Sequence, residues 1–438
     1  MAHYGDQMKK SVLVIGPALS RSGYGEQTRF ALRALRSYEN DIDVYVIPTM
    51  WGATGWIIDD TEERKWIDDR ISLTQQRNAA ALGYDASIQV DVPWAPSPQG
   101  APPGNESGWK KLTNYDVGYT AGVETNKISP QWIERSQMMK KIIVVSDHSK
   151  NVFNDTVYTA VDRATGRQIQ IQNKTPIDVV GFPYRDIPSS DSLGLNLKHD
   201  FNFLTVAQWC RRKNLENTIL WFVEAFRDKP VGLVLKANLM KNCLMDRTRT
   251  ARTIEKILEN HSDRKCSVHL LHGHLTDSEM KALYVEPKIK AYLSLAHGEG
   301  FGIPMFDAVC SGMPVVTCPW SGQVDYLTML DKKGRNTVVA GRVEFTIGQI
   351  QQDAAWKGIL EPDSMWCYAD QASAKKKMLE VFKKYNKYKQ RAKTLQTEIV
   401  ERFNQDTMHK KFVEATGILD LQIAPKEEGN LDDLQVFG

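Results

Sequence analysis

Residues 291–317 read AYLSLAHGEGFGIPMFDAVCSGMPVVT. An apolar run, Ala291 to Ala296, enters a Gly300-Phe301-Gly302 turn. Pro304 follows where the first turn of a helix tolerates proline, and the helical run stops at Gly312. A second apolar run, PVVTCP, begins at Pro314. Strand, glycine turn, helix and strand in this order form one step of an open α/β sheet. Two acids, Glu299 and Asp307, bracket the turn with seven residues between them.

The same alternation extends upstream. FNFLTVAQW, VGLVLKA and SVHLLHG read as strands, with helices through Ile219 to Phe226, near Arg252 to Glu259, and over SEMKALYVE. An earlier series is similar. SVLVIGP, DVYVIP, ASIQVDVP, DVGYT and KIIVVS read as strands, and EQTRFALRALRSY and a stretch around Pro130 to Met139 read as helices. Between the series lies FPYRDIPSSDSLGLNLKHD, Phe182 to Asp200, whose proline, serine and aspartate content suits a linker. The fold class is therefore α/β: two facing Rossmann-like domains with parallel sheets and an interdomain cleft. At 438 residues the chain also exceeds what one core usually serves. The expected division is 1–190, 191–400, and 401–438 as a helix returning to the first domain followed by an acidic tail.

A net charge of +3 with 25% charged residues names no partner, and the lysine runs after Lys375 read as solvated helix faces. No stretch approaches the roughly 20 apolar residues of a membrane span, and the 6 cysteines have no CxxC spacing. These features predict a cytoplasmic protein with reduced thiols. His269, His272 and His274 in HLLHGH lack a nearby fourth ligand, and Asp41-Ile42-Asp43 precedes its strand, so no metal site is expected.

In open α/β sheets, ligands sit beyond the carboxyl ends of strands, where glycine lets the backbone approach closely. Gly23-Tyr24-Gly25 occupies such a place after the first strand, without the third glycine of a dinucleotide fingerprint. The Gly300 turn is the second such place. Free N–H groups at the following helix N-terminus suit phosphate. Asp307 can accept hydrogen bonds from a diol on one side of that phosphate, and Glu299 from another hydroxylated group. A nucleoside-diphosphate sugar has this layout. Arg212-Lys213, after the first strand of the same series, face the same crevice and supply countercharge.

Ser294 to Ala308 with Ser311 to Val316 resembles the donor-site motif of the family-four retaining glycosyltransferases, which have the GT-B fold, some of them phage enzymes. VAQWCRRKNLENTILWFVEAF is similar to that family's diphosphate-binding stretch, HGHLTDSEMKALY to its nucleobase turn, and VVSDHSKNVF to the step ending its first domain. GYTAGVETNKISPQWI resembles a glutamate-bearing segment of some members. The resemblance spans about Ser11 to Asp325.

It implies sugar transfer from a nucleoside-diphosphate donor, of UDP or GDP type, to a hydroxyl, with retained configuration and no cofactor or metal. Glu299 would hold donor-sugar hydroxyls, with Arg212 and Lys213 stabilising the leaving diphosphate, which takes the acceptor's proton. Gly300 and the backbone of Phe301, Gly302 and Ile303 would cradle the distal phosphate and sugar. Asp307 would bind the ribose, and Gly273, His274 and Leu275 the base. Gly23, Tyr24 and Gly25 count among the donor-binding candidates, and the Gly23/Gly25 loop also lines the acceptor's entry. Two positions depart from the family pattern. The second acid is aspartate, and Gln208 stands where an arginine is usual. On the acceptor side, Glu124, His148 and Trp94 are the candidates. The Trp94 to Gly108 loop, with Trp109 after it, either covers a sugar by stacking or is an ordered excursion. A glycan, a small molecule or a hydroxylated DNA base remain as acceptors, the last read from Tyr385 and Tyr388 among the lysines. A sugar-nucleotide-binding protein without turnover is the other alternative.

Overall fold

The computed structural model describes residues 9–93, 108–161, 164–190, 192–331 and 333–422. In the first half the strands are β1 Lys10–Gly16, β2 Ile42–Pro48, β3 Ala86–Val90, β4 Asp116–Thr120, β5 Lys141–Val144, β6 Val157–Val161, β7 Gln168–Gln172 and β8 Ile177–Val179. Its helices are α1 Gly23–Arg36, α2 Glu62–Ala79, α3 Pro130–Ser136 and α4 Asp147–Asp155. Six strands form a parallel sheet in the order β2-β1-β3-β4-β5-β8, while β6 and β7 form an exposed antiparallel hairpin.

The second half contains β9 Asn202–Gln208, β10 Gly232–Asn238, β11 Ser267–Leu271, β12 Ile289–Ser294, β13 Val315–Thr317, β14 Thr328–Leu330, β15 Asn336–Val338, β16 Gly341–Arg342, β17 Phe345–Gln349 and β18 Met365–Ala369. Its helices are α5 Leu215–Phe226, α6 Leu244–Leu258, α7 Asp277–Val285, α8 Ile303–Cys310, α9 Val324–Leu327, α10 Gln371–Lys383, α11 Tyr385–Arg402 and α12 Gln405–Thr416. The second parallel sheet runs β11-β10-β9-β12-β13-β16. The two Rossmann-like α/β units anticipated from the alternation are present. Strand β3 is buried along its whole length although Ser87 and Gln89 alternate with its apolar residues. Ser87 Oγ donates to Asp116 Oδ1 at 2.6 Å and Gln89 Nε2 to Lys110 O at 2.6 Å, so these buried polar groups are satisfied.

Each sheet reverses its direction of growth once: between β1 and β3 in the first, and between β9 and β12 in the second. The carboxyl ends of these pairs open into one cleft of about 1870 Å³. A single small-ligand pocket typically measures roughly 300–1,000 Å³, so this volume can hold a donor and an acceptor together.

Two segments tie the halves beyond the linker. Helix α12 crosses back to the first unit, where Phe412 lies 5.2 Å from Phe30 and 5.0 Å from Tyr119, ring centre to ring centre. The excursion between β17 and β18 also reaches the first unit. Trp132 Nε1 donates to Gly358 O at 2.8 Å, and Met365 N donates to Asn126 Oδ1 at 2.7 Å. The Asn126 N–H donates back to Met365 O at 3.0 Å. Lys127 pairs with Asp363, and Ile359 and Leu360 pack on the cluster around Trp132.

Candidate active site

The Gly298–Gly302 turn is held from both sides. A Cβ on Gly298 would lie 2.3 Å from Glu124 O, and one on Gly300 would lie 2.6 Å from Ala121 O. Both obstacles are backbone of the first unit, so only glycine permits this approach. Gly302, at φ 87°, caps α8 in the left-handed region, where glycine carries no Cβ penalty. The Phe301 ring is buried against Phe182, Phe306, Tyr326 and Phe403. It anchors the turn from below and leaves its backbone to the cleft. Gly300, Phe301, Gly302 and Ile303 all line the cleft.

Glu299 sits just past β12 and is 7% exposed. Lys213 Nζ lies 2.5 Å from its Oε1, and Arg212 Nη1 lies 2.9 Å from its Oε2. The Glu299 N–H donates to Ser321 Oγ at 2.9 Å. Burial alone would raise this carboxyl's pKa, yet Lys213 and then Arg212 outweigh it and hold the pKa below its ordinary value. Arg212 also reaches across the cleft, its Nη2 lying 3.2 Å from Glu124 Oε1. Burial opposes the guanidinium charge, but Glu124 and Glu299 more than compensate and raise its pKa. The short turn Arg211–Lys213 at the end of β9 presents both cations, while Arg211 itself points away to Asp353 at 2.7 Å. Gln208, in the place of the family's arginine, donates to Leu239 O at 3.1 Å.

Asp307 lies one turn into α8, half-buried and lining the cleft. Burial pushes its pKa up to about 7, against the opposing pull of Arg185. Gly273, His274 and Leu275 line the cleft beyond β11. Arg21 Nη1 of the first unit lies 2.6 Å from His274 Nδ1, and Arg21 pairs with Asp59 at 2.8 Å. Burial lowers the His274 pKa and the Arg21 charge lowers it further. Gly23 and Tyr24 open α1 on the facing wall, whereas Gly25 does not line the cleft: it is buried against the preceding loop, where a Cβ would lie 2.0 Å from Ser20 O. The Tyr24 ring stacks on Trp51 at 4.1 Å, and its hydroxyl lies 2.8 Å from Thr120 Oγ1.

The acceptor-side candidates separate. Glu124 is in the cleft. His148 is not among the side chains lining it: its ring packs on Trp320 at 5.1 Å, and Nε2 is buried without a partner. Trp94 lies outside the described residues. Trp109 is fully buried beneath β4, in contact with Gly118, so it offers no surface for stacking a sugar. Tyr388 is buried and Tyr385 packs on Phe201 at 5.5 Å, so the tyrosines expected to interleave with the lysines face inward. The three histidines take separate partners. His272 Nε2 meets Asp246 at 2.9 Å, His269 meets Ser267, and His274 meets Arg21.

Arg21, Arg185, Trp51 and Asp91 also line the cleft, and no motif marks them in the sequence. Asp91 left a signal, an acid directly after the strand ASIQV, at the carboxyl end of a strand that borders the switch point of its sheet.

No protein-family model matches the sequence, and no curated protein sequence matches it. Solved structures do share the fold. Sucrose-phosphate synthase from Thermosynechococcus elongatus superposes with a TM-score of 0.58 at 12% identity, covering 93% of this chain and 98% of its own. Anabaena HepE in complex with UDP and glucose gives a TM-score of 0.53 at 13% identity, covering 92% and 98%. Against the longer S. aureus TarM the chain spans 55% of that protein's length, at 12% identity over 76% of this chain and with a TM-score of 0.45. The first two likenesses establish a GT-B fold.

Proposed function

We propose that this chain is a glycosyltransferase that moves a sugar from a nucleoside-diphosphate sugar to a hydroxyl acceptor, retaining the anomeric configuration without a metal. The observation that carries this reading is Glu299 held by Arg212 and Lys213 at the switch point of the second sheet, beside the α8 N-terminus. A diphosphate entering there would share both cations. Glu299 would then be released to accept hydrogen bonds from donor-sugar hydroxyls.

When the bond from the anomeric carbon to phosphate breaks, negative charge grows on the diphosphate. Preorganised cations at that place stabilise the transition state more than the ground state. The guanidinium and ammonium supply countercharge that a metal supplies elsewhere, which supports metal independence. Retention rests on the likeness of the donor motif. Asp307 would take the ribose diol, Gly273, His274 and Leu275 the base, and Gly23 and Tyr24 the facing side of the donor. HepE, of the same fold, was solved with UDP and glucose, which makes UDP the first nucleotide to test and GDP the second.

The division into 1–190, 191–400 and a returning 401–438 is part of the same proposal, supported by the two sheets and the crossing of α12. Among the described residues no helix is long and apolar enough to cross a membrane. A cytoplasmic setting is supported by the cysteines, all of them free thiols.

A thermal-shift panel of UDP, GDP, ADP, CMP and TDP tests the donor site, because a ligand bound only to the folded state raises the melting temperature. Stabilisation by one diphosphate, followed by its release from the matching sugar nucleotide, is expected. Binding with no turnover of any sugar nucleotide would favour a non-catalytic binding protein. No shift from any nucleotide would sink the reading.

A further inference from the structure

The two sheets place chemistry at equivalent points. In the second sheet the switch lies between β9 and β12, with Arg212 and Lys213 after the first strand and Glu299 after the other. In the first sheet the switch lies between β1 and β3, with Tyr24 on the helix after β1 and Asp91 directly after β3. Ligands of open α/β sheets gather at such crevices. Asp91 lines the same cleft, on the wall opposite the donor residues.

The two carboxylates differ in their partners. Glu299 is clamped by two cations, whereas among the described residues Asp91 is held by backbone N–H groups alone. Its Oδ1 accepts from Val92 N at 2.7 Å and its Oδ2 from Gly108 N at 2.9 Å. Each oxygen keeps a second acceptor site. The two N–H bonds fix the carboxylate's orientation without neutralising it. The other first-unit candidates are occupied or displaced: Glu124 is paired with Arg212, and His148 lies off the cleft.

We propose that Asp91 is the group that takes the proton from the attacking hydroxyl of the acceptor. The inference rests on the glycosyl transfer proposed above. The acceptor oxygen forms its bond to the anomeric carbon, and the bond from that carbon to the phosphate oxygen breaks, its electron pair leaving with the diphosphate. The hydroxyl proton passes to an Asp91 oxygen and from there to solvent. This differs from the route implied by the family likeness, in which the departing phosphate receives the proton.

The titratable groups facing this end of β3 are Tyr24 from α1, Glu124 beyond β4 and Lys110 after the neighbouring loop. Burial raises the Tyr24 pKa, and the Asp91 and Glu124 charges add to it, so the phenol stays neutral near pH 7. Burial raises the Asp91 pKa to about 6, while its two backbone hydrogen bonds pull the other way. A group of that pKa is ionised and ready to accept a proton at neutral pH.

The test uses the full chain, Asp91→Asn and Asp91→Glu. Nucleotide release is measured from UDP-glucose and GDP-mannose, with water and then glucose as acceptors, over pH 5 to 9. UDP and GDP binding and melting temperature are measured alongside. Asp91→Asn is expected to bind nucleotide like the wild type and to lose release by about 100-fold. The wild-type profile is expected to show an acid limb near pH 6. Asp91→Glu should keep the limb at a reduced rate, which holds the test open if the asparagine variant does not fold. Near wild-type release by Asp91→Asn, or an unchanged acid limb, would overturn the assignment and return the proton to the phosphate. Loss of nucleotide binding in a folded Asp91→Asn would also overturn it, since the role would then lie on the donor side. If the wild type binds none of UDP, GDP, ADP, CMP and TDP, the glycosyltransferase reading fails first, and that result is distinct from the others.

Discussion

Arg212 of the second sheet reaches Glu124 of the first at 3.2 Å while its other terminal nitrogen holds Glu299 at 2.9 Å. One guanidinium thus belongs both to the candidate donor site and to the contact that closes the cleft. Its planar fork can serve two carboxylates at once, which a lysine ammonium cannot do with the same geometry. Arg212→Lys is expected to keep the fold and to lower sugar transfer by about 10-fold or more, measured as nucleotide release at saturating donor.

Glu299→Gln keeps shape and removes charge. It frees Lys213 and Arg212 from their carboxylate, so nucleotide diphosphate binding should hold or tighten, while turnover falls by about 100-fold. Calorimetric titration with UDP, set beside turnover, separates the two effects. Unaltered turnover would remove Glu299 from the reacting centre.

Asp307 couples pH to both binding and stability. Its folded pKa of about 7 lies above the ordinary carboxylate value, because burial outweighs the pull of Arg185. Between the two values the folded protein holds a proton that the unfolded chain has released. Stability from this group is therefore greatest at low pH and is lost as pH rises through about 7. Asp307→Asn should melt higher than the wild type at pH 8 and show a shallower pH slope. Asp91 and Asp325, both raised by burial to about 6, keep part of that slope. Asp307→Ala should weaken nucleotide binding by about 10-fold; equal affinity would take Asp307 out of the ribose role.

Asn126→Ala removes the acceptor for the Met365 N–H, bonded at 2.7 Å. A net loss of about 1 kcal/mol is expected. Hydrogen exchange should show faster exchange at Met365 and in the 350–364 excursion, with the two parallel sheets protected as before.

Much of this arrangement was legible in the sequence because strand, glycine turn and helix each leave a local signature. Gly302 must adopt a positive φ, Pro304 marks the first turn of α8, and Arg212-Lys213 follow an apolar strand. Contacts made across the cleft left no such signature. The glutamate in GYTAGVET could be singled out, but its partner Arg212 is 88 positions away and the pairing is set by tertiary packing. Trp109 looked available because it follows a proline and glycine loop, yet the side chain fills the space above Gly118. Tyr385 and Tyr388 sit among lysines whose flexible stems extend outward, while helix geometry turns the two rings inward. The β17–β18 excursion escaped notice because its anchoring groups, a Trp132 indole and an Asn126 amide, are ordinary until the second sheet is placed beside them.

The crossing of α12 has a consequence for how the protein is made. Phe412 completes a cluster with Phe30 and Tyr119, residues synthesised several hundred positions earlier. Chains grow from the N-terminus at roughly 5–20 residues per second. The first sheet must therefore wait tens of seconds with one apolar face uncovered, while the second unit emerges and folds. A ribosome stalled before residue 405 would hold both parallel sheets with an open seam, suited to chaperone capture.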